Sequence, residues 1–76
     1  MFFATQVLVP IAFGSEEIEV VTLVNVFSKG GALVTVASVE QDLQIECSSR
    51  VKLVADTFIS ECESQIFDLV VLPVCY

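Results

Sequence analysis

Apolar residues fall into three short unbroken runs and one longer periodic stretch. The runs are Val7-Leu8-Val9-Pro10-Ile11-Ala12, Leu33-Val34-Thr35-Val36-Ala37-Ser38 and Phe67-Asp68-Leu69-Val70-Val71-Leu72. Continuous runs of this length predict strands covered on both faces. Pro10 lies near the end of the first, where a missing ladder donor is tolerable. Between the first two runs, Val20, Val21, Val24 and Phe27 recur at i, i+1, i+4 and i+7, one stripe of a helix. Thr22, Asn25 and Lys29 take the opposite side. Phe13-Gly14-Ser15 reads as a turn, with Ser15 placed to cap a helix that starts at Glu16. Glu16, Glu17 and Glu19 sit in the first turn, where the helix dipole favours carboxylates. Gly30-Gly31 ends the helix, with Lys29 in its last turn. Ile18, Val20, Val21, Thr22, Val24 and Val26 are β-branched and lower helix propensity. The helix therefore depends on packing against something.

Strand, helix and strand in that order predict a right-handed βαβ unit with parallel strands. Leu43-Gln44-Ile45-Glu46-Cys47 and Val51-Lys52-Leu53-Val54 alternate apolar with polar and are joined by Ser48-Ser49, a side hairpin. A short helix is expected within Asp56–Ser64, around Phe58-Ile59 and Cys62. The Phe67–Leu72 run supplies a third core strand and ends in a proline-marked loop. The fold class is α/β: the first half of a doubly wound parallel sheet, with a side hairpin.

Composition sharpens the word "half". The chain has 76 residues, of which 55% are apolar and 17% charged, with a mean hydropathy of +0.84. That richness excludes disorder. A chain this short buries only about 60% of its unfolded surface, yet here few polar groups exist to cover the rest. Such numbers fit part of a larger core, and poor stability in isolation is expected. Net charge is −7, ten acids against Lys29, Arg50 and Lys52. Without a basic patch, nucleic acid and anionic membrane surfaces are excluded as partners. No apolar run reaches the roughly 18–20 residues of a membrane helix. The opening Met1-Phe2-Phe3-Ala4-Thr5 resembles neither a secretory signal nor an Arg/Ser-rich transit peptide. The cytoplasm is the default compartment.

Candidate chemistry is sparse. Gly14-Ser15-Glu16-Glu17-Ile18-Glu19 is no phosphate cradle, because one glycine is not a GxGxxG loop and three glutamates repel phosphate. Two readings stay open: acid–base groups at the top of strand one, or carboxylates that only complement the helix dipole. Glu17 aligns with the apolar stripe and Glu19 is offset from it, so periodicity nominates Glu17 as the buried carboxylate. Cys47, Cys62 and Cys75 are an odd set with no CxxC pair, and the chain has no histidine. Nothing argues for a disulfide framework, a metal site or a cofactor. Cys75 has no base to activate it, Cys47 reads as a packing residue at a strand end, and Cys62 as packing in a short helix.

The segments "VLVPIAFGSEEIEVV", "VNVFSKGGALVTVASVE", "ECSS" and "FDLVVLP" resemble the start of a ThiJ/PfpI domain. The nearest branch is the Parkinson-associated deglycase-like (DJ-one) branch, in a plant-like version. The likeness covers Gln6–Pro73 and makes residues 1–76 one partial domain. It implies a flavodoxin-like, glutamine-amidotransferase-like fold and a full domain of roughly twice this length. It also implies glyoxalase or deglycase chemistry on methylglyoxal-type aldehydes, with chaperone and oxidative-stress roles also proposed for the family. In that family a cysteine on a strained elbow in the second half is the nucleophile, and an acid from the first helix holds it. The matching position is Glu19, with Glu17 supporting it from the same turn. For function the resemblance thus selects Glu19 over the Glu17 that periodicity favours.

The departures from the family pattern matter as much. The family reads LPGG where this chain reads Leu72-Pro73-Val74-Cys75, and family glycines there bring backbone close to substrate. The nucleophile elbow, and the histidine seen beyond it in many members, have no counterpart in the chain. Cys75 occupies a glycine position and is not that nucleophile, and Cys47 matches a peripheral cysteine near the family's subunit interface. The expectation is a truncated family member, inactive alone, whose full-length relatives act on small aldehydes. The alternative is a non-catalytic interaction or chaperone-like module, pairing as a homodimer or with a full-length homologue through the family's dimer surface. A chloroplast is the alternative compartment for the parent.

Overall fold

The computed structural model describes residues 4–75, so the reading of Met1-Phe2-Phe3 as a non-signal start, and Tyr76, lie outside the described residues. Strand β1 (Gln6–Ile11) leads through a turn into α1 (Glu17–Lys29) and returns as β2 (Leu33–Ser38). β1 and β2 pair in parallel from Gln6 opposite Leu33 to Ile11 opposite Ser38, the expected βαβ unit. β3 (Gln44–Glu46) and β4 (Lys52–Val54) form a separate antiparallel hairpin. Two short strands, β5 (Thr57–Phe58) and β6 (Leu69–Val70), flank the unit in a parallel sheet ordered β5-β2-β1-β6.

The turn into α1 departs from expectation. The helix starts at Glu17, and its N-cap is Glu16, whose carboxylate accepts the Ile18 N–H at 3.0 Å. Ser15 does not cap. Its hydroxyl turns back to accept the Ala12 N–H at 3.0 Å, closing the turn behind the helix. At the other end Gly31 sits at φ +94. Its N–H donates to the Ser28 carbonyl while the Ala32 N–H donates to that of Phe27, the paired bonds of a Schellman cap that favours glycine there.

One face of the sheet is well covered. Val7, Val9 and Ile11 of β1 pack with Val20 of α1 and with Ile45, Cys47 and Ala55 of the hairpin region. The stripe foreseen for α1 is only partly used: Val20 is buried, Val24 and Phe27 are half-buried, and Val21 is 55% exposed. Val21 is offset from Val20 by one helical step of about 100°, and a single sheet plus a short hairpin does not reach round that far. On the opposite face, among the described residues, Leu8 and Ala37 pack with Cys62 and the flanking Ile59 and Phe67. Buried parallel sheets carry helices on both faces. Among the described residues this one carries an α-helix on one face and a single 3₁₀ turn on the other.

The segment foreseen as a short helix around Phe58-Ile59 divides in two. Thr57 and Phe58 pair with Ala37 and Ser38 as β5, and only Ile59–Cys62 coils, as a 3₁₀ turn. Asp56 causes this. Its N–H donates to the Val36 carbonyl at 2.8 Å while its carboxylate accepts the Val36 N–H at 2.9 Å, feeding the next two residues into the ladder. Asp68 repeats the device on β1: its N–H donates to Gln6 O at 2.8 Å and its carboxylate accepts Gln6 N–H at 2.7 Å. The third core strand is thereby registered, Leu69 opposite Val7, but is shorter than the apolar run from Phe67 to Leu72.

Candidate functional site

The β1–α1 turn lies at the carboxyl end of β1, where open α/β sheets place their ligands. Gly14 adopts φ +85, a left-handed conformation that favours glycine, and its N–H donates to the Glu46 carbonyl at 3.0 Å. Ser48 N–H donates to Ser15 O at 3.0 Å, so the turn is tied to the hairpin at both points. The hairpin loop itself closes by Arg50 N–H to Cys47 O at 2.9 Å, with Arg50 at φ +67. That is a three-residue loop with a left-handed last position, usually a glycine.

Glu17 is the carboxylate that periodicity nominated, and it is buried, with 7% of its surface exposed. It points at the hairpin loop. One oxygen accepts the Ser49 N–H at 2.8 Å and the other the Ser48 hydroxyl at 3.1 Å. Burial acts to raise its pKa. The Glu16 carboxyl beside it, the Glu17 amide, the Ser49 amide and the Ser48 hydroxyl together outweigh that and hold it down, at about 2 against an ordinary 4.5. At neutral pH Glu17 is an ionised anchor, with both oxygens in use.

Glu19, selected by resemblance, is half-buried and faces a different element. Its Oε1 accepts the Val74 N–H at 2.9 Å, a bond to the segment that follows β6. The Val74 carbonyl accepts the Glu16 N–H at 2.7 Å, and Cys75 bridges antiparallel to Ser15. The two glutamates share one helical turn but divide their work, Glu17 toward the hairpin and Glu19 toward β6.

Each of the three thiols lies against a main-chain carbonyl oxygen, Cys47 facing that of Ile45 at 3.8 Å. Cys47 is buried, and burial together with the Glu17 and Glu16 charges pushes its thiol pKa up. Cys62 is buried against Leu8 and Ala37, and its Sγ faces the Phe58 carbonyl at 3.7 Å. Cys75 is exposed, and its Sγ donates to Phe13 O at 3.1 Å. Among the described residues no cluster of three metal-binding side chains forms, and no helix is long and apolar enough to cross a membrane. Sequence reasoning missed Ser48, Ser49 and the Val74 main chain as partners of the glutamates. Their contacts span 31 to 55 positions along the chain, and no local pattern carries them.

Comparison with known proteins places this arrangement in a family. A family model described as the DJ-1/PfpI family matches residues 5–73. The chain is 46% identical over 71 residues to Protein DJ-1 homolog A of Arabidopsis thaliana, covering 93% of this chain and 18% of that protein. It is 38% identical to Protein dj-1beta of Drosophila melanogaster, covering 87% of this chain and 35% of the relative. Among solved structures, oxidized Toxoplasma gondii DJ-1 superposes with a TM-score of 0.92 at 40% identity, over 95% of this chain and 39% of that one. The chain thus spans well under half the length of these relatives.

Proposed function

This chain belongs to the DJ-1/PfpI family, and from that premise we propose that it supplies the acidic half of an aldehyde-processing site. Glu19 holds a nucleophilic thiol carried by a later part of the domain, and the 76 residues turn over no substrate by themselves. The observation that supports this is the place of Glu19. It stands half-buried on the first turn of α1, above the carboxyl end of β1, in contact with the segment leaving β6. Ligands of open α/β sheets bind where such strand ends converge. Glu17 supports the site indirectly by fixing the hairpin loop to the same turn. A thiol attacking an aldehyde carbon forms a C–S bond while the carbonyl oxygen takes up a proton, and a neighbouring carboxyl group both orients the thiol and handles that proton.

The test is lactate formation from methylglyoxal. The chain alone is expected to give none above buffer. Grafted in place of the matching segment of the Drosophila relative, it is expected to support turnover that Glu19→Ala lowers roughly hundredfold. Turnover by the chain alone, or a graft indifferent to Glu19→Ala, overturns the reading.

A second reading is favoured by the outer face of α1. Val21 and Val54 are exposed along a cleft of about 430 Å³ also lined by Val20, Val24 and Leu53, and Ile18 is exposed one turn away on α1. An apolar face of this kind pairs with a second copy or with a full-length relative. Light scattering is expected to find a dimer that Val21→Glu dissociates. A monomer at every concentration that also ignores the relative overturns pairing.

A further inference from the structure

We propose that Glu19 is a positioning residue for the segment that follows β6, its carboxylate clamping the main chain at Val74. This rests on the reading of Glu19 given above and deepens it. Both backbone groups of Val74 are taken by the first turn of α1. Its N–H donates to Glu19 Oε1 at 2.9 Å, and its carbonyl accepts the Glu16 N–H at 2.7 Å. The Glu16 amide stands at the start of α1, where backbone N–H groups have no acceptor within the helix, so the Val74 carbonyl satisfies a donor that the helix cannot. Pro73 brings no N–H, which makes Val74 the first amide past it that a side chain can grip. Cys75 then continues as a one-residue antiparallel bridge to Ser15, its Sγ donating to Phe13 O.

Two consequences follow from which atoms are used. The clamp engages only main-chain atoms of residue 74, so it does not depend on the side chain there. That is why valine is held where the family pattern has glycine. Among the described residues Glu19 Oε2 accepts no hydrogen bond, whereas both oxygens of Glu17 do. Glu19 thus spends its one observed bond on the main chain of the loop, and its removal releases that loop.

The clamp is tested in the 76-residue chain without any activity assay, so its failure is separable from failure of the catalytic reading. Hydrogen exchange at the Val74 amide is compared in the parent, Glu19→Gln and Glu19→Ala. A glutamine keeps an oxygen that accepts the Val74 N–H, and alanine does not. Exchange at Val74 is expected to rise roughly tenfold or more in Glu19→Ala and to stay near the parent in Glu19→Gln. A second readout does not require a very stable fold. Residues paired across an antiparallel bridge lie about 4.5–5.5 Å apart at Cα, within disulfide range. A Ser15→Cys chain is thus expected to cross-link to Cys75, mapped by peptide mass, with a yield that Glu19→Ala lowers and Glu19→Gln preserves. Equal exchange and equal cross-linking in all three backgrounds overturns the clamp. So does a parallel loss in Glu19→Gln and Glu19→Ala, or a Glu19→Ala chain in which Val9 exchanges as fast as Val74.

Discussion

β1 and β6 are neighbours in one sheet and nearly alike as sequence, yet they live in different surroundings. Val7-Leu8-Val9 and Leu69-Val70-Val71 are both unbroken aliphatic runs. Val7 and Val9 are fully buried and Ile11 is 1% exposed, whereas Leu69 is 43% and Val70 53% exposed. The difference comes from position in the sheet. β1 lies between β2 and β6, under α1 and the hairpin. Among the described residues β6 lies at the edge of the sheet, and of its run Val71 packs, half-buried, against the covered face. An apolar run reports that a strand is built to be covered. What covers it is a property of other segments.

The sharpest way to break this comparison is to truncate one side chain in each strand. Ile11→Ala removes a fully buried side chain from the covered face and is expected to cost about 2–5 kcal/mol. Leu69→Ala takes away a side chain with 43% of its surface already in water and is expected to cost less, about 1 kcal/mol. Urea titration of each variant against the parent measures both, and equal losses would mean that β6 is as covered as β1.

A second way to sharpen the comparison is to release by acid the loop that Glu17 holds. Glu17 is held at about 2 against an ordinary 4.5. Because its folded value is the lower one, its contribution to stability is fully present above about pH 4.5 and is lost as pH falls through about 2. The Ser49 amide signal is expected to shift with a midpoint near 2, accompanied by release of the hairpin loop, while Val9 in β1 stays protected. Glu17→Gln should abolish that midpoint. A Ser49 shift that persists in Glu17→Gln would assign the transition to another group.

The smallest effect concerns the loop that Glu17 holds. Arg50 adopts φ +67, where a side chain is strained. Arg50→Gly is expected to stabilise the hairpin by about 0.5–1 kcal/mol, seen as a higher thermal midpoint. A lower midpoint would show that the Arg50 side chain contributes more than its backbone costs.

Much of the fold was legible because it follows from local rules. The bounds of β2 match the apolar run residue for residue, Gly30-Gly31 ends α1, and the hairpin pairs across Ser48–Arg50 as alternation predicts. Burial of Glu17 was legible too, from its place on the apolar stripe. Ser15 misled because its type suits a cap, while its hydroxyl found a nearer donor in Ala12. β5 was invisible because two residues carry no period, and only the pairing of Asp56 with Val36 puts them in the sheet.

By itself the sequence determined the strand–helix–strand core, the acidic first turn and the family likeness, because each of these is written in residues close together along the chain. Only the tertiary structure decided which glutamate faces which element. Glu17 and Glu19 are two positions apart, about 200° around a helix. What each touches depends on segments 32 and 55 residues away, brought there by strand pairing rather than by any local signal.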